Sequence, residues 1–177
     1  MPLRRPVLLG LLASGLILTS YRPARHDGPM AAAAACDAPE YHGFDFMLGD
    51  WDVYDMDAPA TVTARNQETA MVGGCAIREV HQQNDGLLGE AVTIYDRSRG
   101  VWHQTWVTNR GGLLVLEGGL VNGRMVLTAT DRGADGSTSL IRGTWWVEGP
   151  TVRQLAERSK DDGKSWTKLW DIVFRPH

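Results

Sequence analysis

From Asp50 onward the chain alternates apolar and polar residues in short runs, each broken by turn-forming residues. In Asp50-Trp51-Asp52-Val53-Tyr54, Trp51 and Val53 point one way and Asp50, Asp52 and Tyr54 the other. That period of two marks a strand with one buried face. The same pattern predicts strands over residues 50–56, 61–69, 75–82, 89–95, 101–108, 113–118, 124–130, 138–148, 151–159 and 166–175. Asp85-Gly86, Asn122-Gly123 and Asp135-Gly136 are hairpin dipeptides that supply positive φ. Arg99-Gly100, Arg110-Gly111-Gly112 and Glu148-Gly149-Pro150 also fit turns. No stretch beyond residue 40 shows sustained helical periodicity with caps; residues 41–48 fit one short helical turn. Turns recurring about every dozen residues, with no long connection, predict an all-β fold. The expected form is an antiparallel up-and-down barrel of about 8–10 strands that closes on itself and so leaves no open edge. A Greek-key sandwich is the alternative, but it needs long crossovers that this spacing does not offer.

The N-terminal segment has a different character. Arg4 and Arg5 precede an uncharged apolar run at residues 7–19. The run is short for a membrane span and fits a signal peptide over residues 1–20. The cleavage point is open, up to residue 35, and residues 21–40 read as a flexible linker ahead of a domain at 41–177. Export to the periplasm or the extracellular space is the expected outcome, with no membrane association after cleavage. Loss of residues 1–35 removes four Arg and one Asp and moves the formal net charge from −3 to −6. An acidic domain without a basic cluster argues against a nucleic-acid partner.

Export also changes the meaning of the two cysteines, Cys36 and Cys75. An even count in an exported domain predicts a Cys36–Cys75 disulfide. The rival is a lipoprotein box at Ala-Ala-Ala-Cys36, which lacks the usual Leu and lies far beyond the apolar run. The mature region of about 140 residues is long enough for one domain with a sizeable core. Hydrophobic content of 43%, charged content of 22%, seven Trp and twenty Gly fit large rings packed on a turn-rich sheet.

Candidate chemistry sits on three strands. Trp102, Gln104 and Trp106 share one face of theirs, and His103 lies on the other. Facing inward, the first set lines a small-molecule pocket, apolar with one orienting amide; it serves equally as core filler in a solid barrel. Glu79 and His81 share a face with Cys75 and Ile77. A carboxylate and an imidazole so placed can act as an acid–base pair or share a metal. They fit as well an ordinary strand whose polar end reaches solvent, and two ligands do not make a metal site. On the strand near 151–159, either Gln154 or Glu157 reaches the interior. Ser159-x-Asp161-x-Gly163-x-Ser165-Trp166 matches the aspartate-box pattern. That box is a turn device, with Asp161 bonding amides across the loop, Gly163 at positive φ and Trp166 packed beneath. The short motifs of hydrolases, phosphate binders, zinc proteases and dinucleotide enzymes are absent. No cofactor or metal is implied, and no proximal His for a haem can be placed.

The ordered set of motifs resembles a family. Phe44-Asp45-Phe46-x-Leu48-Gly49-x-Trp51-x-Val53 opens it, followed by Gly74-Cys75-x-x-x-Glu79, Gly89 to Tyr95-Asp96 and Trp102-x-Gln104-x-Trp106-Val107. Val152-Arg153-Gln154 and Glu157 to Trp166 complete it. In these the chain is similar to the secreted, lipocalin-like (calycin-type) bacterial proteins of unknown function, over residues 41–175. The resemblance implies a barrel and export. It supplies no settled activity and no catalytic residues. Ala156 stands where the family commonly has an aromatic, which would enlarge a pocket on that face. The expected function is an exported barrel that binds a small, partly apolar ligand through Trp102, Gln104, Trp106, Glu79 and Gln154. The alternatives are a small-molecule enzyme of hydrolase or isomerase type in the same cavity, and a solid structural or interaction module. Gly49, Trp51, Asp161, Gly163 and Trp166 are expected to serve the fold.

Overall fold

The structure is a computed structural model, and it describes residues 36–177. The signal peptide expected at residues 1–20, and the linker up to residue 35, lie outside the described residues. Ten strands follow two short 3-10 turns, Pro39–His42 and Asp45–Met47. They are β1 (Gly49–Asp55), β2 (Val62–Met71), β3 (Ala76–Gln83), β4 (Leu88–Asp96) and β5 (Val101–Thr108). Then come β6 (Leu113–Val121), β7 (Arg124–Arg132), β8 (Thr138–Glu148), β9 (Thr151–Ser159) and β10 (Thr167–Pro176). Each strand pairs antiparallel with the next, and β1 pairs with β10, so the sheet is a closed up-and-down barrel.

The turns explain the meander. Asn122 and Gly123 both take positive φ, 51° and 74°, the geometry of a tight two-residue hairpin between β6 and β7. The aspartate box closes β9 to β10 as its residues predict. Asp161 accepts from Ser165 N at 2.9 Å and from Ser165 Oγ, and Trp166 donates to Gly163 O at 3.1 Å. The two Ser165 bonds, with a third from Ser159 Oγ, hold the Asp161 carboxyl down at about 2. The Arg142 guanidinium lies over the Trp166 ring, 3.9 Å from its centre.

β6 runs three residues beyond its expected end at residue 118, so Gly118 and Gly119 both lie within the strand. A Cβ at Gly118 would lie 2.0 Å from the Val126 carbonyl oxygen, so the glycine is needed for close approach of β7. In β10 a bulge between Lys168 and Trp170 resets the alternation. Trp170, Ile172 and Phe174 face inward, while Lys168 is turned out to Asp57.

The N-terminal segment closes one end of the barrel. Phe44 sits edge-on to Trp102, Trp145 and Phe46 with ring centres 5.3–5.9 Å apart. Met47 is buried beside it, while Phe46 and Leu48 are half-buried at the margin. Trp51 donates its indole N–H to Met47 O at 2.7 Å and packs edge-on against Phe174. Cys36 is disulfide-bonded to Cys75 in the β2–β3 turn at the same end. The packed segment therefore begins ahead of residue 41. A Cys36 sulfur held in this bridge cannot at the same time carry a lipid thioether.

Candidate functional site: an acceptor-lined barrel cavity

Beyond the plug the barrel is hollow. A cavity of about 450 Å³ lies inside, with Ala156, Trp145 and Phe174 among its lining residues and Asp55, Gln83, Leu87 and Trp170 at the opposite end. Those four lie where β1, β3, β4 and β10 start or finish, away from the Phe44–Met47 plug. Two glycines make room for indoles across the wall. A Cβ at Gly89 would lie 2.2 Å from the Trp106 ring, and one at Gly143 would lie 2.4 Å from the Trp145 ring.

Of the residues expected to bind ligand, Gln104, Trp106, Glu79 and Gln154 line this cavity. Trp102 does not line it. It shares their face of the sheet but stands one pleat closer to the plug, buried against Phe44 and Tyr95. The question left open on β9 is resolved toward Gln154, since Glu157 is paired with Arg142 at 2.7 Å. His103 is on the outer face, with Nδ1 2.9 Å from Glu117 and Nε2 3.0 Å from Thr105.

The β2–β3 pairing builds a polar patch that sequence reasoning missed. Its register sets Glu68 directly opposite Glu79 and Asn66 directly opposite His81. Side chains so paired on one face approach within about 5 Å at Cβ. Asn66 donates from Nδ2 to Glu68 Oε1 at 3.1 Å. This leaves Asn66 Oδ1 as acceptor for His81 Nδ1 at 3.0 Å. With Nδ1 carrying the proton, His81 Nε2 is a lone-pair acceptor. Burial holds the imidazole below its ordinary pKa against the opposing pull of Asp85, which favours the neutral ring. On the same inward face, two strands away on β5, Gln104 donates from Nε2 to Thr93 Oγ1 at 2.9 Å.

The carboxyl pair is electrostatically loaded. Burial pushes the Glu79 carboxyl up to about 7, offset in part by the Asn66 amide. Glu68 is raised well above the carboxylate range by burial and then by the charge of Glu79. Among the described residues, no group of three or more His, Cys, Asp or Glu could hold a metal ion.

These shifts have a direct consequence for stability. The folded state holds the Glu79 proton up to about pH 7, whereas the unfolded chain releases it near the ordinary value of 4.5. Stability carried by Glu79 is therefore full below about pH 4.5 and is lost as pH rises through 7. Glu79→Gln is expected to be about 2 kcal/mol more stable than the parent at pH 8, a figure reduced for water in the cavity, with the gap closing toward pH 4.5. Urea titrations of both proteins at the two pH values measure it. His81 works in the opposite sense and is common to both proteins, so the difference between variant and parent reports Glu79 together with its effect on Glu68. Equal gaps at both pH values would contradict the assignment.

Asn66, Gln67 and Glu68 are three polar residues in a row, which marks neither face of the strand as inward. The signal that identifies them is register, not residue type. Compared with known proteins, the chain matches no family model and no curated protein.

Proposed function

We propose that the protein is an exported carrier that binds a small, partly apolar ligand inside its barrel, and that it belongs with the lipocalin-like bacterial proteins its motifs resemble. The observation that carries this reading is the cavity itself, about 450 Å³ and floored by the Phe44 plug and Trp145. Its volume falls within the range of small-molecule pockets, about 300–1,000 Å³. Much of its wall is indole and aliphatic, and Glu79, His81, Gln104 and Gln154 are among the polar lining groups that would orient a ligand. The Cys36–Cys75 bridge is compatible with an oxidising, extracytoplasmic compartment.

Titration of the oxidised protein with a neutral apolar fluorophore, N-phenyl-1-naphthylamine, tests the reading. Probe emission should rise to a plateau at one probe per chain, with Trp emission falling in parallel as Trp106 and Trp145 are approached. A panel of apolar probes that leaves both signals flat at saturating concentration would remove it.

A second reading is favoured by one observation: a carboxyl poised at about 7 stands on the same inward face as a neutral imidazole whose Nε2 is free to accept a proton. That pair suits general acid–base chemistry near neutral pH. It supports a small-molecule enzyme of hydrolase or isomerase type. Glu79→Gln and His81→Ala variants that convert a bound ligand as fast as the parent would exclude it.

A further inference from the structure

The cavity gathers hydrogen-bond acceptors and offers them no cation. Gln104 is 7% exposed, faces the cavity and uses its Nε2 on Thr93, so its Oε1 has no hydrogen-bond partner among the described residues. His81 presents Nε2 as a second acceptor, for the tautomeric reason given above. Glu79 presents a carboxyl. The titratable groups facing Glu79 are Glu68 from β2, His81 from its own strand and Asp55 at the mouth from β1. β4 and β5 bring only neutral groups to that side, Thr93, Gln104 and Trp106 among them. No Lys or Arg lines the cavity among the described residues. Of the Arg side chains that pair with carboxylates, Arg78 with Glu90 and Arg153 with Asp171 lie on the outer face, while Arg158, on the alternation of Gln154 and Ala156, is taken up by Asp131 at 2.9 Å and is not among the cavity's lining residues. The remaining wall includes Trp106, Trp145, Trp170 and Phe174.

A buried carboxylate needs a counter-charge or must stay protonated. Aromatic faces attract cations through their quadrupole, the more so when water is excluded. An alkylammonium supplies what the site lacks, namely a positive charge and N–H donors, on a body that fits between indoles. A carboxylate ligand would meet Glu79 and Asp55, with Glu68 behind Glu79 and no cation in the lining to oppose them. We propose that the cavity is a binding site for an organic cation, a protonated primary amine on a small aromatic body. Its ammonium group sits against the Glu79 carboxylate and Gln104 Oε1, and its ring sits among the indoles. This rests on the carrier reading and names the ligand class.

The proposal predicts a pH dependence with a fixed sign. The ammonium binds the ionised form of Glu79, and in the empty cavity that group keeps its proton up to about pH 7. Proton and ligand then compete, so affinity for an amine rises between pH 5.5 and 8, a range in which the amine itself stays charged. A neutral ligand of the same shape shows a flat profile, and an anionic one weakens.

Calorimetric titration of the oxidised protein with 2-phenylethylamine, 2-phenylethanol and 3-phenylpropanoate at pH 5.5 and 8 separates these cases. The amine should bind at least tenfold more tightly than the alcohol at pH 8, and about thirtyfold more tightly at pH 8 than at pH 5.5. Glu79→Gln should abolish the pH dependence of amine binding. Glu90→Gln, on the outer face, should leave the amine curve unchanged. If Glu79→Gln does not fold, the parent's three-ligand pH series decides alone. An amine that binds no better than the alcohol, or with a flat pH profile, overturns the cation site while leaving the carrier reading intact. Silence from all three ligands and from the apolar panel removes both.

Discussion

Trp51→Ala should lower the stability of the barrel by about 3–5 kcal/mol, the range for deleting a large aromatic from a packed core. Three structural roles meet in this side chain. Its ring is buried and packs edge-on against Phe174 of β10. Its backbone pairs with Pro176 on one side and Asn66 on the other, across the seam where the barrel closes. Its N–H is bonded to Met47 O, tying the plug to the wall. The alanine variant loses the ring and leaves the Met47 carbonyl without its buried donor. Gly49 supports the same corner with φ of +144°, which an L side chain rarely adopts. Denaturant titration at fixed pH measures the loss; a change well under about 1 kcal/mol would place Trp51 outside the core.

Removing the Cys36–Cys75 bridge should cost nearly as much. The bridge closes a loop across a sequence separation of 39 residues. On the chain-entropy account, a loop of that length is worth about 4 kcal/mol through its constraint on the unfolded chain. The expected loss in the Cys36→Ala, Cys75→Ala double variant is about 3 kcal/mol, since the reduced chain keeps some residual structure. The bridge also holds the segment ahead of the plug against the β2–β3 turn, where Val72, Gly73 and Gly74 all take positive φ. Loss of the bridge should therefore be felt at the closed end, as greater hydrogen exchange at Tyr41, Phe44 and Met47. A melting midpoint that does not move on reduction, with mass spectrometry showing two free thiols, would contradict this.

The strand order was legible because turn chemistry punctuates the chain. Asn122-Gly123 and the aspartate box each specify their own hairpin from local residues, and the ten predicted segments meet the ten strands. Which residues face inward was also legible, through period two. Depth along the barrel axis was not. Trp102, Gln104 and Trp106 are equivalent by alternation, yet the first packs against the plug and the other two line the cavity. Only the position of Phe44 separates them. The partners of Glu79 were hidden for a different reason. Inward polar residues on β2 break the apolar-inside pattern, and their meaning depends on Glu68 falling opposite Glu79 in the register. Lys168, two residues before the inward Trp170, is turned outward by a bulge that period two cannot anticipate. The residues that set the fold are local in sequence; those that set the chemistry are joined only by pairing.

The central claim is that the hollow inside the barrel is where ligand binds. Ala156 is fully buried, lines that hollow and leaves it open where a larger side chain would fill it. Ala156→Phe places a ring in the cavity without touching the plug, Glu79 or the mouth. The most direct measurement is N-phenyl-1-naphthylamine binding to the parent and to Ala156→Phe, with thermal melts confirming that both are folded. The account predicts saturable binding of one probe per chain in the parent and at least a tenfold loss of affinity in the variant. Equal binding by the two folded proteins would contradict it.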